Sequence, residues 1–212
     1  EAGDPGRAVG LCEALLEDRK RVLGADHPDT LTTRGNLALA VREAGDPGRA
    51  VGLCEALLED QKRVLGADHP STLIARGNLA LAVAQAGAPG RAAKLFKELL
   101  EDLVRVLGAD HPDTLTTRGN LASAVAQAGD PGRAVGLFEA LLEDRKRVLG
   151  AEHPHTLDTR ANLAVARYRL GQRSQAVEDL RSLLTDLRSL PEPNAALVGS
   201  VSQLLNKWTQ KD

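Results

Sequence analysis

The chain opens with EAGDPGRAVGLCEALLED at residues 1–18, and the same stretch returns at residues 43–60. Three further versions follow: QAGAPGRAAKLFKELLED at 85–102, QAGDPGRAVGLFEALLED at 127–144 and the more divergent RLGQRSQAVEDLRSLLTD at 169–186. The copies are spaced by 42 residues, and blocks 1–42 and 43–84 differ at only five positions: 19/61, 29/71, 32/74, 33/75 and 42/84. A fixed period of this length predicts a repeat array in which each unit contacts its neighbours and function comes from the shared surface.

Each period contains two helices, which we call the first and the second helix of a pair. In residues 47–65 the apolar side chains follow a spacing of three and four, which is one face of a helix. Asp46 supplies an N-cap, Pro47 suits the first helical position, and Gly66 suits a C-cap. The first helix begins at the His27-Pro28 step. Short linkers between such helices favour antiparallel neighbours.

The pattern predicts an all-α fold of about ten helices without strands. We expect an unpaired second helix at residues 5–23 (segment 1–24), helix pairs at about 28–66, 70–108, 112–150 and 154–190, and a last helix at about 194–210. This divides the chain into a repeat array at residues 1–190 and a capping segment at 191–212. The last helix breaks the period and contains the single Trp, which is typical of a terminal cap.

Composition excludes several classes of function. The net charge is −2, with 27 basic and 29 acidic residues, so we expect no nucleic-acid partner. No apolar run approaches the length of about 20 residues that spans a bilayer, so we expect no membrane association. No signal-peptide pattern is present, and we expect a cytoplasmic protein. Because the chain starts within a repeat and without Met, we expect a fragment of a larger protein.

The sequence contains no catalytic, cofactor or metal motif. The patterns GxxxxGK[ST], HExxH and GxSxG are absent, so we expect neither an enzyme nor a bound cofactor. One His recurs in each linker, but only His153 and His155 are close enough in sequence to approach one metal ion, and two ligands make a weak site. We expect the linker His residues to fix the turn. Cys12 and Cys54 share a repeat position with Phe96, Phe138 and Leu180, which indicates apolar packing.

The helix pairs resemble the tetratricopeptide repeat. The 42-residue period, the L-G-x-D-H-P-x-T linker and the following N-L-A are similar to the kinesin-light-chain type of that family, which also occurs in many bacterial proteins, often behind a signalling NTPase module. The resemblance covers about residues 4–190. It implies a right-handed superhelical α-solenoid whose concave face, formed by the first helices, binds an extended peptide or protein segment.

The resemblance also implies which residues line that groove. In the family, the Asn before L-A holds the backbone of the bound peptide, and the preceding residue also faces the groove. The matching positions are Asn36, Asn78, Asn120 and Asn162, preceded by Gly35, Gly77, Gly119 and Ala161. Further positions on the same face are Thr32, Leu39, Arg42, Ile74, Leu81, Thr116, Ser123 and Asp158. The Lys and Arg residues that some relatives use to bind the terminal carboxylate of a peptide are largely missing. This favours an apolar groove, or one that binds the peptide through its backbone.

Two kinds of side chain on the first helices could hold the repeats together instead of binding a ligand. The Asn side chains could bond the backbone of a neighbouring repeat instead of a ligand. Arg34, Arg76, Arg118 and Arg160 could form a basic row for an acidic peptide, but we favour pairing with acidic side chains of the second helices, such as Glu55 or Asp60. On the second helices, Glu59 and Arg63 have the spacing of a favourable i,i+4 pair that recurs along the chain.

A different class of function is self-association. The opening helix has no preceding first helix to cover its apolar residues, so we expect Leu11, Leu15 and Leu16 to be exposed, together with Cys12, Val22 and Leu23. Exposed apolar patches of this kind recruit another chain. The alternative to a peptide-binding groove is therefore a homo-oligomer, or a regulatory segment of a larger signalling protein, that assembles through this N-terminal end.

Overall fold

A computed structural model describes residues 5–192 and 194–210, so the outermost residues of the expected array and capping segment lie outside the described part of the chain. The described residues form ten helices and no strand, which confirms the all-α fold. The helices are α1 (Pro5–Leu23), α2 (Pro28–Glu43), α3 (Pro47–Leu65), α4 (Pro70–Gln85), α5 (Pro89–Leu107), α6 (Pro112–Gln127), α7 (Pro131–Leu149), α8 (Pro154–Arg169), α9 (Arg173–Ser189) and α10 (Ala195–Thr209).

Capping residues fix where the helices begin and end. Asp46 accepts a hydrogen bond from the backbone N–H of Arg49 at the start of α3, as expected from the sequence. The first helices begin with a histidine cap, in which Nδ1 of His69 accepts from the N–H of Ser71 at 3.1 Å. His27, His111 and His153 make the same bond, which confirms that the linker histidines fix the turn. Gly66 ends α3 with φ of +93°, a backbone conformation that favours glycine.

The chain divides into two compact units, residues 1–108 and 109–212. In the first unit, each of the helices α1 to α4 packs against the next one along the chain, and α2 also contacts α4. Leu37 and Val41 of α2 form a buried cluster with Leu16 of α1, Ala50 of α3 and Ala82 of α4. Small alanine side chains at these contacts allow close packing of the helices.

The expected exposure of Leu16 is wrong. Leu16 is 7% exposed because it lies on the side of α1 that packs against Leu37 and Val41 of α2. Cys12, on the same side, is half-buried. Leu11 and Leu15 are 63% and 46% exposed, since they lie on the other side of α1.

The second unit contains α6 to α10. Its described core joins Leu180, Leu183 and Leu187 of α9 to Val201 and Trp208 of α10. Trp208 is buried and its ring stacks on Tyr168 of α8, with centroids 4.0 Å apart. The aperiodic helix α10 thus covers the apolar side of α9.

The expected i,i+4 pair between Glu59 and Arg63 is wrong. Arg63 instead binds both oxygens of Asp26, at 2.9 and 2.6 Å, and also Asp60 at 2.9 Å. Glu59 pairs weakly with Lys62. Arg63 pairs with the linker Asp because the antiparallel packing of α2 on α3 brings the start of α2 next to the end of α3. The guanidinium can therefore bind two carboxylates at once.

Candidate peptide-binding surface

In the first unit, α2 and α4 present matching side chains one repeat apart. Each helix contributes three positions at i, i+4 and i+7, which lie along one helix face. The corresponding residues are Thr32, Asn36 and Leu39 on α2, and Ile74, Asn78 and Leu81 on α4. Ile74 is 61% exposed and Leu39 is 36% exposed, whereas Leu81 is half-buried. Together these residues form a mixed surface of apolar side chains and amides, which we call the α2/α4 surface.

On this surface, a narrow crevice lies where α2 and α4 approach each other. It is lined by Ala38, Leu39, Arg42, Cys54, Asn78 and Ala82. Asn78 of α4 and Leu39 of α2 therefore lie at the same crevice. A polar amide next to an exposed apolar side chain is the combination that orients a ligand and also contributes buried area.

The amides of the four repeated asparagines are available. Asn36 and Asn162 are exposed, and Asn78 and Asn120 are half-buried. None of the four makes a side-chain hydrogen bond that is recorded among residues 5–192 and 194–210, so the structural alternative of a bond to a neighbouring repeat is not observed there. Asn is a poor helix former without such a bond. The amides thus have both a donor and an acceptor free for another molecule.

The equivalent surface of the second unit is more polar. On α6 the three positions hold Thr116, Asn120 and Ser123, of which Ser123 is half-buried. On α8, Asp158 and Asn162 occupy the first two positions. The expected groove residues are therefore present in both units, but the exposed large apolar side chains are found in the first.

Gly77 and Gly119, which the resemblance places in the groove, are half-buried. A Cβ on Gly77 would point at Cδ2 of Leu99 on α5, at 3.6 Å, and one on Gly119 would point at Cδ2 of Leu141 on α7, at 3.5 Å. These glycines lie where the first helix contacts the second helix of the same pair. Both positions are partly exposed beside this contact, and their place in the groove stays a prediction.

The arginine row of the first helices is paired with the second helices, as we favoured. Arg34 binds Asp60 at 2.7 Å and Arg76 binds Asp102 at 2.6 Å. Arg118 repeats this with Asp144 at 2.8 Å, and Arg160 with Asp186 at 2.7 Å. Glu55, the other partner considered, binds Arg91 instead. These arginines are therefore occupied in holding the pairs together and do not form a free basic row.

The same contacts shift the acidity of the aspartates. Hydrogen bonds from Arg34 and Arg63 hold the pKa of Asp60 below its usual range, and those from Arg105 and Arg76 do the same for Asp102. In the linker, the hydrogen bond from Arg63 lowers the pKa of Asp26. Each carboxylate is stabilised in its charged form by a guanidinium, which is the expected result of a close ion pair.

Arg42 is the cation of the α2/α4 crevice. Its Nε is buried without a hydrogen-bond partner among the described residues, and the crevice also contains Cys54. Burial raises the pKa of the Cys54 thiol, with the neighbouring Arg42 acting in the opposite direction. Cys54 is 3% exposed, consistent with the expected packing role. A raised pKa and burial both disfavour a reactive thiolate.

A metal centre and a membrane-spanning helix are the other features that could define a function. His153 and His155 have ring centroids 5.3 Å apart. Within the described residues there is no group of three or more His, Cys, Asp or Glu side chains suited to a metal ion. In that same part of the chain, no helix combines the length and the apolar character that crossing a membrane requires.

Comparison with known proteins identifies the repeat. The tetratricopeptide repeat model matches residues 1–29, 30–71, 72–113 and 114–155, which is most of the chain. The chain belongs to the tetratricopeptide repeat family. No curated protein sequence matches this tetratricopeptide repeat chain.

Solved structures relate it to the kinesin-light-chain type. Two crystal structures of nearly identical TPR-like repeats from Podosopora anserina, described as those of a putative kinesin light chain, both have a TM-score of 0.76. One of them, a form with a single substitution, is 30% identical and covers 86% of each chain; the other is 28% identical and covers 89% of this chain and 90% of that one. BtubC (BKLC) from P. vanneervenii, 18% identical, has a TM-score of 0.74 and covers 98% of this chain and 87% of its own, which shows the shared fold.

A more distant structure is that of a Rap protein in complex with Competence and Sporulation Factor. It is 12% identical with a TM-score of 0.58, and the match covers 98% of this chain and 60% of the Rap chain. That similarity shows the fold alone. Tetratricopeptide repeats are in general scaffolds for protein–protein interaction.

Proposed function

We propose that this chain is a protein-interaction scaffold that binds an extended peptide or protein segment across the faces of its first helices. The observation that carries the proposal is the pair of unbonded amides on α2 and α4, Asn36 and Asn78, beside the exposed Leu39 and Ile74. The amides would bond the backbone of the partner, and the apolar residues would contact its side chains.

The four asparagines lie in the interiors of helices. Asn is less favourable than Ala in a helix interior, and the chain carries one at the same position of four successive first helices. An amide can donate to a carbonyl and accept from an N–H, so it can bond an extended backbone of any sequence. A surface that already holds these groups in place reduces the ordering cost on binding.

The expected partner is a segment with an apolar side chain. Arg34 and Arg76 are engaged by aspartates, so the cation that lines the crevice of this surface is Arg42. The exposed Ile74 and the half-buried Leu81 favour a partner that places an apolar side chain on α4. We propose that the chain acts without enzymatic activity or cofactor, as a cytoplasmic segment of a larger bacterial protein, and that nucleic acid and membrane are not its partners.

The experiment is a selection from a displayed library of random 12-residue peptides, followed by fluorescence anisotropy with the enriched peptides. The variant Asn78→Ala, Asn120→Ala removes one amide from each unit. The matched control is Asn206→Ala, which removes an exposed amide of α10. We expect the double variant to weaken binding at least tenfold and the control to leave it unchanged.

One further variant separates amide recognition from apolar contact. Ile74→Ser should weaken binding of peptides with an apolar anchor, because it removes the exposed side chain without touching the core. If no peptide is enriched, or if enriched peptides bind the Asn78→Ala, Asn120→Ala and Ile74→Ser variants as well as the parent chain, the groove proposal is wrong.

A further inference from the structure

One contact between an arginine and two aspartates recurs at the end of the second helices. In α3, Arg63 binds both oxygens of the linker residue Asp26 and also Asp60 of its own helix. The same contact joins Arg105 to Asp68 and Asp102, and Arg147 to Asp110 and Asp144. In three successive pairs, a guanidinium therefore lies between a linker carboxylate and a helix carboxylate.

The last pair, α8 and α9, keeps the two carboxylates and replaces the arginine. The positions that match Asp26, Asp60 and Arg63 hold Glu152, Asp186 and Ser189. A hydroxyl on a short side chain cannot bridge two carboxylates as the planar guanidinium does. The acidic groups of this contact are thus present in α8 and α9 without the cation that binds them elsewhere.

Asp186 shows the effect of this replacement. Its Oδ2 accepts a hydrogen bond from Arg160 at 2.7 Å, just as Oδ2 of Asp60 accepts from Arg34. Oδ1 of Asp60 also binds Arg63, but no partner of Oδ1 of Asp186 is found among residues 5–192 and 194–210. The Asp186 side chain is accordingly 53% exposed, compared with 32% for Asp60.

A cavity of about 430 Å³ opens beside Glu152, which we call the α8–α10 cavity. Its wall is mainly apolar and includes Leu157 of α8, Leu190 at the end of α9 and Leu197 of α10. Asp186 lies one helical turn before Leu190, so it is near the same end of α9. The Glu152 carboxylate, like Oδ1 of Asp186, has no partner in the part of the chain that the structure describes.

These groups match the chemistry of an arginine side chain. A guanidinium presents its N–H donors in a planar fork that binds carboxylates through two bonds, and its aliphatic stem packs on apolar surface. A lysine ammonium lacks the fork. The nearest arginine in sequence, Arg188, occupies the position of Lys62, whose partner Glu59 is on the same helix and not in the linker.

We propose that the α8–α10 cavity binds a guanidinium group on an apolar stem, held by Glu152 and Asp186 and packed against Leu157, Leu190 and Leu197. An arginine of a polypeptide and a free guanidino compound share this chemistry. The site contains none of the residues of the α2/α4 surface, so it stands or falls independently of the function proposed above.

The first experiment titrates the ¹⁵N-labelled chain with Nα-acetyl-argininamide and follows the backbone amides by NMR. We expect saturable shifts at Glu152, Leu157 and Leu190. The matched ligands are the lysine analogue, which has the charge without the fork, and the citrulline analogue, which has the shape without the charge. Both should bind at least fivefold more weakly, and Glu152→Gln should weaken arginine binding by a similar factor. No saturable shift, or equal affinity for the three ligands, would overturn the proposal.

The second experiment restores the arginine of the earlier pairs. Ser189→Arg should weaken binding of the ligand at least tenfold, because the new guanidinium occupies the same carboxylates. The control is Gln203→Arg, which adds the same charge at an exposed position of α10 and should leave the affinity unchanged. Circular dichroism confirms that the variants fold. Equal affinity of the two variants for the ligand would show that the matching carboxylates are not its site.

Urea unfolding checks the position of the new arginine without any ligand. Ser189→Arg should raise the urea concentration at the midpoint of unfolding, and adding Glu152→Gln should remove most of that increase. If this holds while the parent chain binds no arginine ligand, the carboxylates are arranged as in the earlier pairs but the cavity takes no separate ligand, and the proposal is wrong.

A comparison of two ligands identifies the source of the guanidinium. Agmatine is a free guanidino amine, and the peptide acetyl-Gly-Ser-Arg-Ser-Gly-amide presents the group on a polypeptide. Tighter binding of the peptide supports an arginine of a protein segment, whereas tighter binding of agmatine supports a small guanidino compound. Failure of both to compete with Nα-acetyl-argininamide would overturn the site.

Discussion

Arg19 donates a hydrogen bond from Nη1 to Oγ1 of Thr33 at 2.7 Å, joining α1 to α2. Arg145 and Thr159 make the same bond, also at 2.7 Å, between α7 and α8. In the second block Gln61 replaces the Arg and Ala75 replaces the Thr. Two of the five differences between blocks 1–42 and 43–84 are therefore the two halves of a single contact.

The exchange leaves a buried group without a partner, and this gives the first prediction. Gln61 is 4% exposed, and its Oε1 has no hydrogen-bond partner among the described residues. We expect the double variant Gln61→Arg, Ala75→Thr to be more stable than the sum of the single variants by about 0.5–3 kcal/mol, because the guanidinium then finds the threonine acceptor. Urea unfolding of the four proteins measures this coupling. Additivity to within about 0.3 kcal/mol would contradict it.

The helix ends were predictable from local sequence because each depends on a few neighbouring residues. The Asp46-Pro47 and His69-Pro70 steps determine where α3 and α4 begin, whatever the helices later pack against. The partner of Arg63 was not predictable in this way. Its choice of Asp26 over Glu59 depends on the distance between a helix end and a linker 37 residues away, which only the packing of the pair establishes.

A second prediction concerns the stability of the folded chain at acidic pH. Hydrogen bonds with arginines lower the pKa of Asp60, Asp102 and Asp144 in the folded chain. Such a carboxyl binds protons more readily when unfolded, so its contribution is fully present above the ordinary Asp value of about 3.9 and is lost as the pH falls through the lower folded value. We therefore expect the urea concentration at the midpoint of unfolding to decrease as the pH is lowered from 5 to 3.

The variant Asp60→Asn, Asp102→Asn, Asp144→Asn should flatten that pH dependence, since an amide does not titrate. The matched control replaces the neighbouring exposed acids: Glu59→Gln, Glu101→Gln, Glu143→Gln. Because the ion pairs are partly exposed, we expect a modest effect that salt reduces. An aspartate variant with the same pH dependence as the glutamate control would show that the ion pairs between first and second helices are not responsible.

A third prediction concerns the histidine caps. Nδ1 of His69 accepts a hydrogen bond from the N–H of Ser71, so His69→Ala leaves that donor without its cap. We expect a loss of about 0.5–2 kcal/mol in the free energy of unfolding, and His69→Asp should retain most of the stability because Asp also caps well. His155→Ala is the control, since His155 is exposed and its ring caps no helix start. Equal losses for the alanine variants at 69 and 155 would disprove the capping role.

The repeat pattern predicts which sequence positions are candidates for the groove. The direction of each side chain could be learned only from the packing of the helices. The repeat places Asn78 and Gly77 side by side in sequence, but Asn78 borders the crevice of α2 and α4 whereas Gly77 faces Leu99. Adjacent residues of a helix point about 100° apart, so Asn78 and Gly77 contact different neighbours. Leu15 and Leu16 differ for the same reason, one being exposed and the other buried.

The last prediction follows from the geometry at Gly77. A Cβ there would lie 3.6 Å from Cδ2 of Leu99, an ordinary van der Waals contact. We expect Gly77→Ala to stabilise the chain by about 0.5–1 kcal/mol, because alanine loses less backbone entropy in a helix and fits the space. Gly77→Leu should destabilise it by about 1–3 kcal/mol, because the longer side chain cannot fit without separating α4 from α5.

The chain itself supports the alanine variant, since α8 holds Ala161 at the equivalent position. The control is Gly90→Ala, near the start of α5, where a Cβ would have open space around it. This variant reports the effect of backbone entropy alone, because the added methyl group contacts no neighbouring helix. Urea unfolding of the four proteins measures the differences. If Gly77→Leu were as stable as Gly77→Ala, the leucine side chain would have to point to solvent, and the contact with Leu99 would not limit the size of the side chain at this position.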